Sequence, residues 1–447
     1  MTSGCVLGND VRSVVPVREN AHPMSRYTVR HNVSGLGRRQ DVEASVDLTD
    51  GWAPQVWLGA PAPGGLALPA ASASMAWMYS PRGVFLSNTG GDDHVVVADS
   101  GNHRVLIWHG MPSADEQPAD VVLGQPDGET EGPAAGGRGP ERGMHLPTGV
   151  LIHDGRLVVA DAWHHRILVW NTVPQTSDTA PDIVIGQPDV VSVEPNRGGG
   201  CSALSIYWPF GIAVVGSSFW VADTGNRRVL GWRDGIPDAN QPADVILGQP
   251  DGSSNSENRG GDAGPASFRW AHDIAGNEDL LLIADAGDHR VLGWSPHPDA
   301  DRDADLVMGQ VDFAGSQEWP YGPHTNDRFR FPYALSLDTG GQERSDSGQR
   351  QARLAMADTA NNRVLLWDGV PDGPICRGAD GADGGPSFRG ADHVLAQPDF
   401  ASNGENRWTS VQHDTLCWPY GLSLRGDALA VADSGNNRVM IWRRSLR

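Results

Sequence analysis

Short apolar runs of Val, Ile, Leu and Ala, bounded by Gly, Pro, Asn or Asp, recur along this chain in a fixed order. Runs of this length and composition read as β-strands. One run ends in Ala-Asp, and five residues on an arginine opens a second run that ends in tryptophan. The copies are ADSGNHRVLIW, ADAWHHRILVW, ADTGNRRVLGW, ADAGDHRVLGW, ADTANNRVLLW and ADSGNNRVMIW, with aspartates at Asp99, Asp161, Asp223, Asp285, Asp358 and Asp433. The first four lie 62 residues apart, and the last two intervals are 73 and 75. Upstream is a Pro-x-Gly start to an apolar strand, as in PRGVFL, PTGVLI, PFGIAV and PYGLSL. Downstream is a fourth run of the type ADVVLGQPD. Four strands per period make one antiparallel blade, and six periods predict an all-β, six-bladed β-propeller of four-stranded blades.

The last repeat is one strand short, because the chain stops at Arg447 soon after Trp442. The segment QVWLGAP at 55–61 has the register of the missing fourth run. It is expected to complete the sixth blade, so that N-terminal and C-terminal sequence share one sheet and no edge is left open. The propeller then spans 55–447. Residues 1–54, with Arg12, Arg18, Arg26, Arg30, Arg38 and Arg39 and few apolar positions, read as an arm packed on the ring or partly disordered.

The succession of apolar strand, Ala-Asp, Gly-Asn, Arg-Val and aromatic end resembles the NHL repeat, and GQPD resembles the bacterial branch of those propellers. The likeness covers about residues 55–445. It implies a six-bladed ring and two kinds of activity. Some GQPD-type propellers look like accessory proteins of redox metalloenzymes such as nickel–iron hydrogenases. The related amidating lyases are propellers that hold zinc with histidines.

Composition narrows these options. A formal charge of −21 is unsuited to the phosphate contacts of nucleic acid binding and to an anionic membrane surface. No stretch approaches the roughly 18 apolar residues of a membrane span. All 34 basic residues are arginine, which excludes lysine Schiff-base chemistry. Cys5, Cys201, Cys376 and Cys417 form no zinc spacing and are too few for a disulfide framework. The N-terminus has no apolar leader core, so a cytoplasmic location with free thiols is expected.

Features present in every copy read as frame. The aspartate accepts turn N–H groups, the arginine reaches back to it, and the tryptophan fills space between blades. Function is expected where the copies differ. The residue inside Pro-x-Gly faces the channel mouth and is Arg82, Thr148, Phe210, His272, Tyr333 and Tyr420 in turn, with Trp208, Trp270, Phe331 and Trp418 just before it. The fourth copy departs most: it reads WAHDI, loses both Pro and Gly, and gains His272 and Asp273. Arg82, Phe210, Trp270, His272, Tyr333 and Tyr420 form the candidate ligand collar; a packed aromatic plug is the alternative.

Other candidates are weaker. Trp163, His164 and His165 sit in the turn of the second copy, in a slot shared by His103 and His289 that reads as a surface position. His145 and His272 could enter a metal set, but no third histidine repeats at their position, so no metal and no cofactor is expected. Asp299, Asp301, Asp303 and Asp305 mimic the start of a calcium loop without its turn glycine or terminal Glu. The pairs Asn196–Arg197, Asn258–Arg259 and Asn406–Arg407 recur and suggest bridges between loops. Insertions at 339–352 and 372–390 read as mobile links on the opposite face.

The preferred expectation is a non-catalytic interaction or scaffold propeller that binds a partner protein through its top face. The alternative is a lyase or hydrolase at the channel mouth. There His272 would be acid/base, Tyr333 or Tyr420 the proton donor, and Arg82 the group that holds a carboxylate.

Overall fold

Each repeat folds into the sheet its period predicts. The computed structural model describes residues 49–59, 72–89, 92–318, 324–339, 352–370 and 390–445. In the first blade the strands Gly83–Thr89, Asp92–Asp99, Arg104–His109 and Val121–Leu123 pair in sequence order from the axis outward. The same order starts from inner strands Pro147–His153, Pro209–Val215, Ala271–Gly276, Pro332–Asp338 and Pro419–Arg425. Each inner strand contacts the next, and the last contacts the first, so the ring is closed.

Closure occurs as expected. Strand Trp52–Gly59 pairs antiparallel with Arg438–Arg444 and completes the sixth blade. It begins before Gln55, because Trp52 is buried and already faces Arg444. Residues 60 and 61 lie outside the described residues, as do most of both insertions and residues 1–48 of the expected arm.

The core is divided among the seams. Among the described residues, buried apolar side chains gather in six clusters, each joining two neighbouring blades. Trp108, Trp170, Trp232, Trp294, Trp367 and Trp442 each belong to one of them. Their indole N–H groups remain satisfied where the link allows. Trp108 Nε1 donates to the Gln117 carbonyl at 3.0 Å, and Trp170 Nε1 to that of Thr179 at 3.0 Å.

The charged frame is buried with its partners. Arg104 Nε lies 2.7 Å from Asp99 Oδ2, with both side chains excluded from solvent, and the other five blades repeat the pair. The guanidinium then fans out: Arg228 donates to the carbonyls of Gly252, Ser202 and Ser205, clamping the loops on both sides of its blade. GQPD supports the same loops. Gln249 Nε2 donates to the Ser256 carbonyl at 2.9 Å, and Asp251 Oδ1 accepts the Ser253 N–H at 2.8 Å.

The slot of His103, His165 and His289 is not a surface position. His165 and His289 are buried, and the three residues adopt left-handed backbone with φ of 57°, 55° and 54°. Each Nδ1 accepts an N–H from the next blade: Leu146 on His103, Trp208 on His165 and Phe331 on His289, at 3.1 Å each. Asn362 and Asn437 do the same with Oδ1, receiving Trp418 and Ser80 at 2.9 Å. The slot is a latch between blades. Its acceptor role suits His and Asn, the two types the slot holds in five blades.

The Asn-Arg pairs bridge loops as expected. Asn196 Nδ2 donates to Asn226 Oδ1 at 3.0 Å, Asn258 Nδ2 to Asp288 Oδ2 at 2.9 Å and Asn406 Nδ2 to Asn436 Oδ1 at 3.0 Å. The calcium-like run also serves as a strut, with Asp301 gripped by Arg259 at 2.6 Å.

Candidate functional site

Glycine follows the collar position because the inner strands converge there. A Cβ at Gly83, Gly149, Gly211 or Gly421 would collide with the backbone of the neighbouring inner strand. Register shifts at the heads of five inner strands turn the residue before the glycine position out of the regular pleat. Two residues earlier the backbone is left-handed at Ser80, Leu146, Trp208, Phe331 and Trp418, held there by the latches. Blade four is the exception. Arg227 occupies the latch slot, Pro and Gly are missing, and the Trp270 N–H turns instead to Asp285 Oδ1 at 3.0 Å. Asp273 and Ala334 stand in consecutive blades where the others carry glycine, so a carboxylate enters the channel wall.

The structure brings most of the predicted collar together. Phe210 meets His272 with ring centroids 4.1 Å apart, and His272 stacks on Tyr333 at 4.1 Å and 9°. Tyr333 meets Tyr420 at 4.6 Å, and the Arg82 guanidinium lies 5.2 Å from the Tyr420 ring centre. Thr148 Oγ1 instead donates to the Pro209 carbonyl at 3.0 Å, tying two inner strands. Trp270 stands apart from this arc: it stacks on Phe331 at 6.2 Å and lies under Arg269. Beneath the arc is a channel cavity of about 370 Å³, whose walls include Arg82, Thr148, Phe210, His272, Tyr333, Tyr420 and Asp273 but not Trp270.

Burial sets the chemistry of the collar. It drives His272 down to about 3, against the pull of the Tyr333 carbonyl, and Arg82 pushes the same way. The ring is therefore neutral at ordinary pH, with Nδ1 2.9 Å from the Tyr333 carbonyl oxygen and serving as its donor. Burial, with Tyr420 alongside, pushes the Tyr333 phenol well above its usual value. Burial also lifts Asp273 to about 7, although the N–H groups of Leu335 and Ile274 favour its charged form. An arc of this kind is well built for stacking and hydrogen bonding. His272 is poorly poised for proton transfer near neutrality, and Asp273 is the group of this wall that changes charge there.

Among the described residues, His145 and His272 do not come together. His145 neighbours His103 and His164, whereas His272 belongs to the collar. The ligand-type grouping found among the described residues is Asp50, Asp368 and His393, where Arg444 already pairs with Asp50.

The rim carries a second feature that sequence reasoning left unresolved. Tyr79, Trp163, Trp408 and Trp418 are 47%, 46%, 77% and 38% exposed. All belong to the face where interblade loops meet the Asp-to-Arg turns. Gly101 N–H donates to the Tyr79 carbonyl there, Trp163 N–H to that of His145, and Gly435 N–H to that of Cys417. Residue type alone could not separate these exposed rings from the buried tryptophans.

No protein-family model matches the chain, and no curated protein does. Solved structures do match. One is virginiamycin B lyase from Staphylococcus aureus, at 10% identity and TM-score 0.40 over 83% of this chain and 98% of that one. Another is an auxiliary nutrient binding protein from Bacteroides thetaiotaomicron, at 10% identity and TM-score 0.47 over 88% and 75%. A third is Kuenenia stuttgartiensis hydrazine synthase, at 11% identity and TM-score 0.45 over 87% and 100%. Likeness at this level carries no argument about what this chain does.

Proposed function

We propose that this chain is a non-catalytic propeller that docks a partner protein on its top face. The observation that carries the reading is the placement of Tyr79, Trp163, Trp408 and Trp418 as exposed rings on that one face. Large aromatic side chains held on a rigid frame are the usual anchors of protein interfaces. The finer form of the reading, an accessory to a redox metalloenzyme such as a hydrogenase, rests on the resemblance of the repeat to NHL propellers. In this reading the ring begins at the closing strand Trp52–Gly59, the residues before it form an arm, and the protein works in the cytoplasm.

The test compares tagged wild type with a Trp408→Ala/Trp418→Ala variant in the native host. A protein recovered with wild type should bind the purified chain directly, and the variant should lose at least tenfold in affinity. A wild-type chain that stays alone at its native concentration overturns the reading.

The alternative, a lyase or hydrolase at the channel mouth, has one observation in its favour. Arg82, His272, Tyr333 and Tyr420 do converge on one cavity. The neutrality of His272 above about 3 weighs against its acid/base role.

A further inference from the structure

Charge in the walls of this ring is nearly always answered by charge. Arg104, Arg166, Arg228, Arg290, Arg363 and Arg438 each hold an aspartate. At the lower end of the channel, Arg425 lies over Phe85 and is attracted to Asp338. Two groups near the upper end have no such counterpart among the described residues. Arg82 has a buried Nε with no acceptor, and its guanidinium lies by the Tyr420 ring and within electrostatic reach of His272 and Tyr333. Asp273 Oδ2 accepts the Leu335 N–H at 2.8 Å, and no cation approaches the carboxylate.

Their positions are related. Inner-strand contacts run from blade one through two and three to four, and back through five and six. Arg82 heads the strand of blade one and Asp273 lies in that of blade four, so they face each other across the axis. Both line the same cavity of about 370 Å³, a volume within the range of small-molecule sites.

We propose that this cavity binds a small zwitterion, with its carboxylate on Arg82, its ammonium group on Asp273, and its body against Phe210, His272 and Tyr333. A guanidinium holds a carboxylate through paired charge-assisted hydrogen bonds. Both protein charges are partly withdrawn from water without an opposite charge, and a ligand that supplies both opposite charges relieves both at once. Arg425 and Asp338 also line the cavity, where they attract each other, and His153 and Tyr420 complete its titratable lining. His272 is neutral, and Tyr333 is held in its phenol form. An ammonium beside Asp273 would favour its carboxylate, so binding near pH 7 should release a proton. The site is independent of the partner reading, because it uses the channel and not the exposed rim rings.

The test is calorimetry of the full chain at pH 7 in two buffers of different ionisation enthalpy. The probes are glycine, β-alanine, 4-aminobutyrate and 6-aminohexanoate, with butyrate and butylamine as single-charge controls. At least one zwitterion should bind tenfold or more tightly than either control, with proton release. Arg82→Gln and Asp273→Asn should each lose at least tenfold, while Arg82→Lys keeps part of the affinity and reports that the fold is intact. Equal binding of butyrate, unchanged binding by Asp273→Asn, or no binding by any of the four zwitterions overturns the proposal.

Discussion

Asp223 and Arg228 show what a buried charge needs in this molecule. Both side chains are fully excluded from solvent, 2.7 Å apart, and the arginine has three further carbonyl acceptors. Replacing one partner strands the other in a low dielectric. Asp223→Ala should therefore cost about 3–5 kcal/mol in urea unfolding. Arg138→Ala, which removes an exposed pair with Asp178, should cost less than about 1 kcal/mol. Asp273 is the opposite case, a half-buried carboxylate without a cation. Its folded value near 7 stands above the unfolded 3.8, so the folded state holds the proton more tightly. The associated stability is present below pH 4, falls as pH rises towards 7, and is gone above that. Over about three units this is at most about 4 kcal/mol. Asp273→Asn should flatten that part of the profile and unfold at higher urea than wild type at pH 8.

At the scale of elements, the closing strand Trp52–Gly59 is the piece whose partner is farthest in sequence. Trp57 is buried and stacks on His413 at 4.3 Å and 17°. Trp57→Ala should lower stability by about 3–5 kcal/mol, as measured by thermal or urea unfolding. A second tie lies just before this strand. His393, on the outer strand of blade five, is 2.7 Å from Asp368 and 3.8 Å from Asp50. Burial opposes its charge, but Asp368 and Asp50 outweigh burial and raise it above its ordinary value. A raised histidine contributes stability in full below pH 6.5 and loses it as pH climbs through the folded value. His393→Gln should remove this fall above pH 6.5, seen as a smaller difference in unfolding midpoint between pH 6 and pH 8 than in wild type.

For the whole molecule, six seams close the ring, and each described blade keeps only its outermost strand as an outer edge. Removing residues 1–59 would expose Arg438–Arg444 as an unpaired edge, a template for another chain. That truncated chain should self-associate or aggregate, with light scattering on a sizing column as the check; a well-behaved monomer would show that closure is dispensable. The ring also explains how much was legible beforehand. The strand order, the blade count and the closing segment follow from the period of apolar runs and one missing run. The collar residues were legible as departures from the repeat. The latch was not: His165 looked like a turn residue, and only its neighbour in the next blade shows that Nδ1 is a buried acceptor.

The amino-acid sequence by itself determined the blade, its six copies and the swap of strands that closes the ring, because alternating apolar runs and turn residues act locally and repeat. Tertiary structure alone decided which copies of a position meet. Closure sets each blade's angle about the axis, so it places Arg82 opposite Asp273, draws Phe210, His272, Tyr333 and Tyr420 into one arc, and turns Trp408 outward while Trp442 is buried. Spacing along the chain is fixed by local chemistry; spacing across the channel exists only once the last strand has paired with the first.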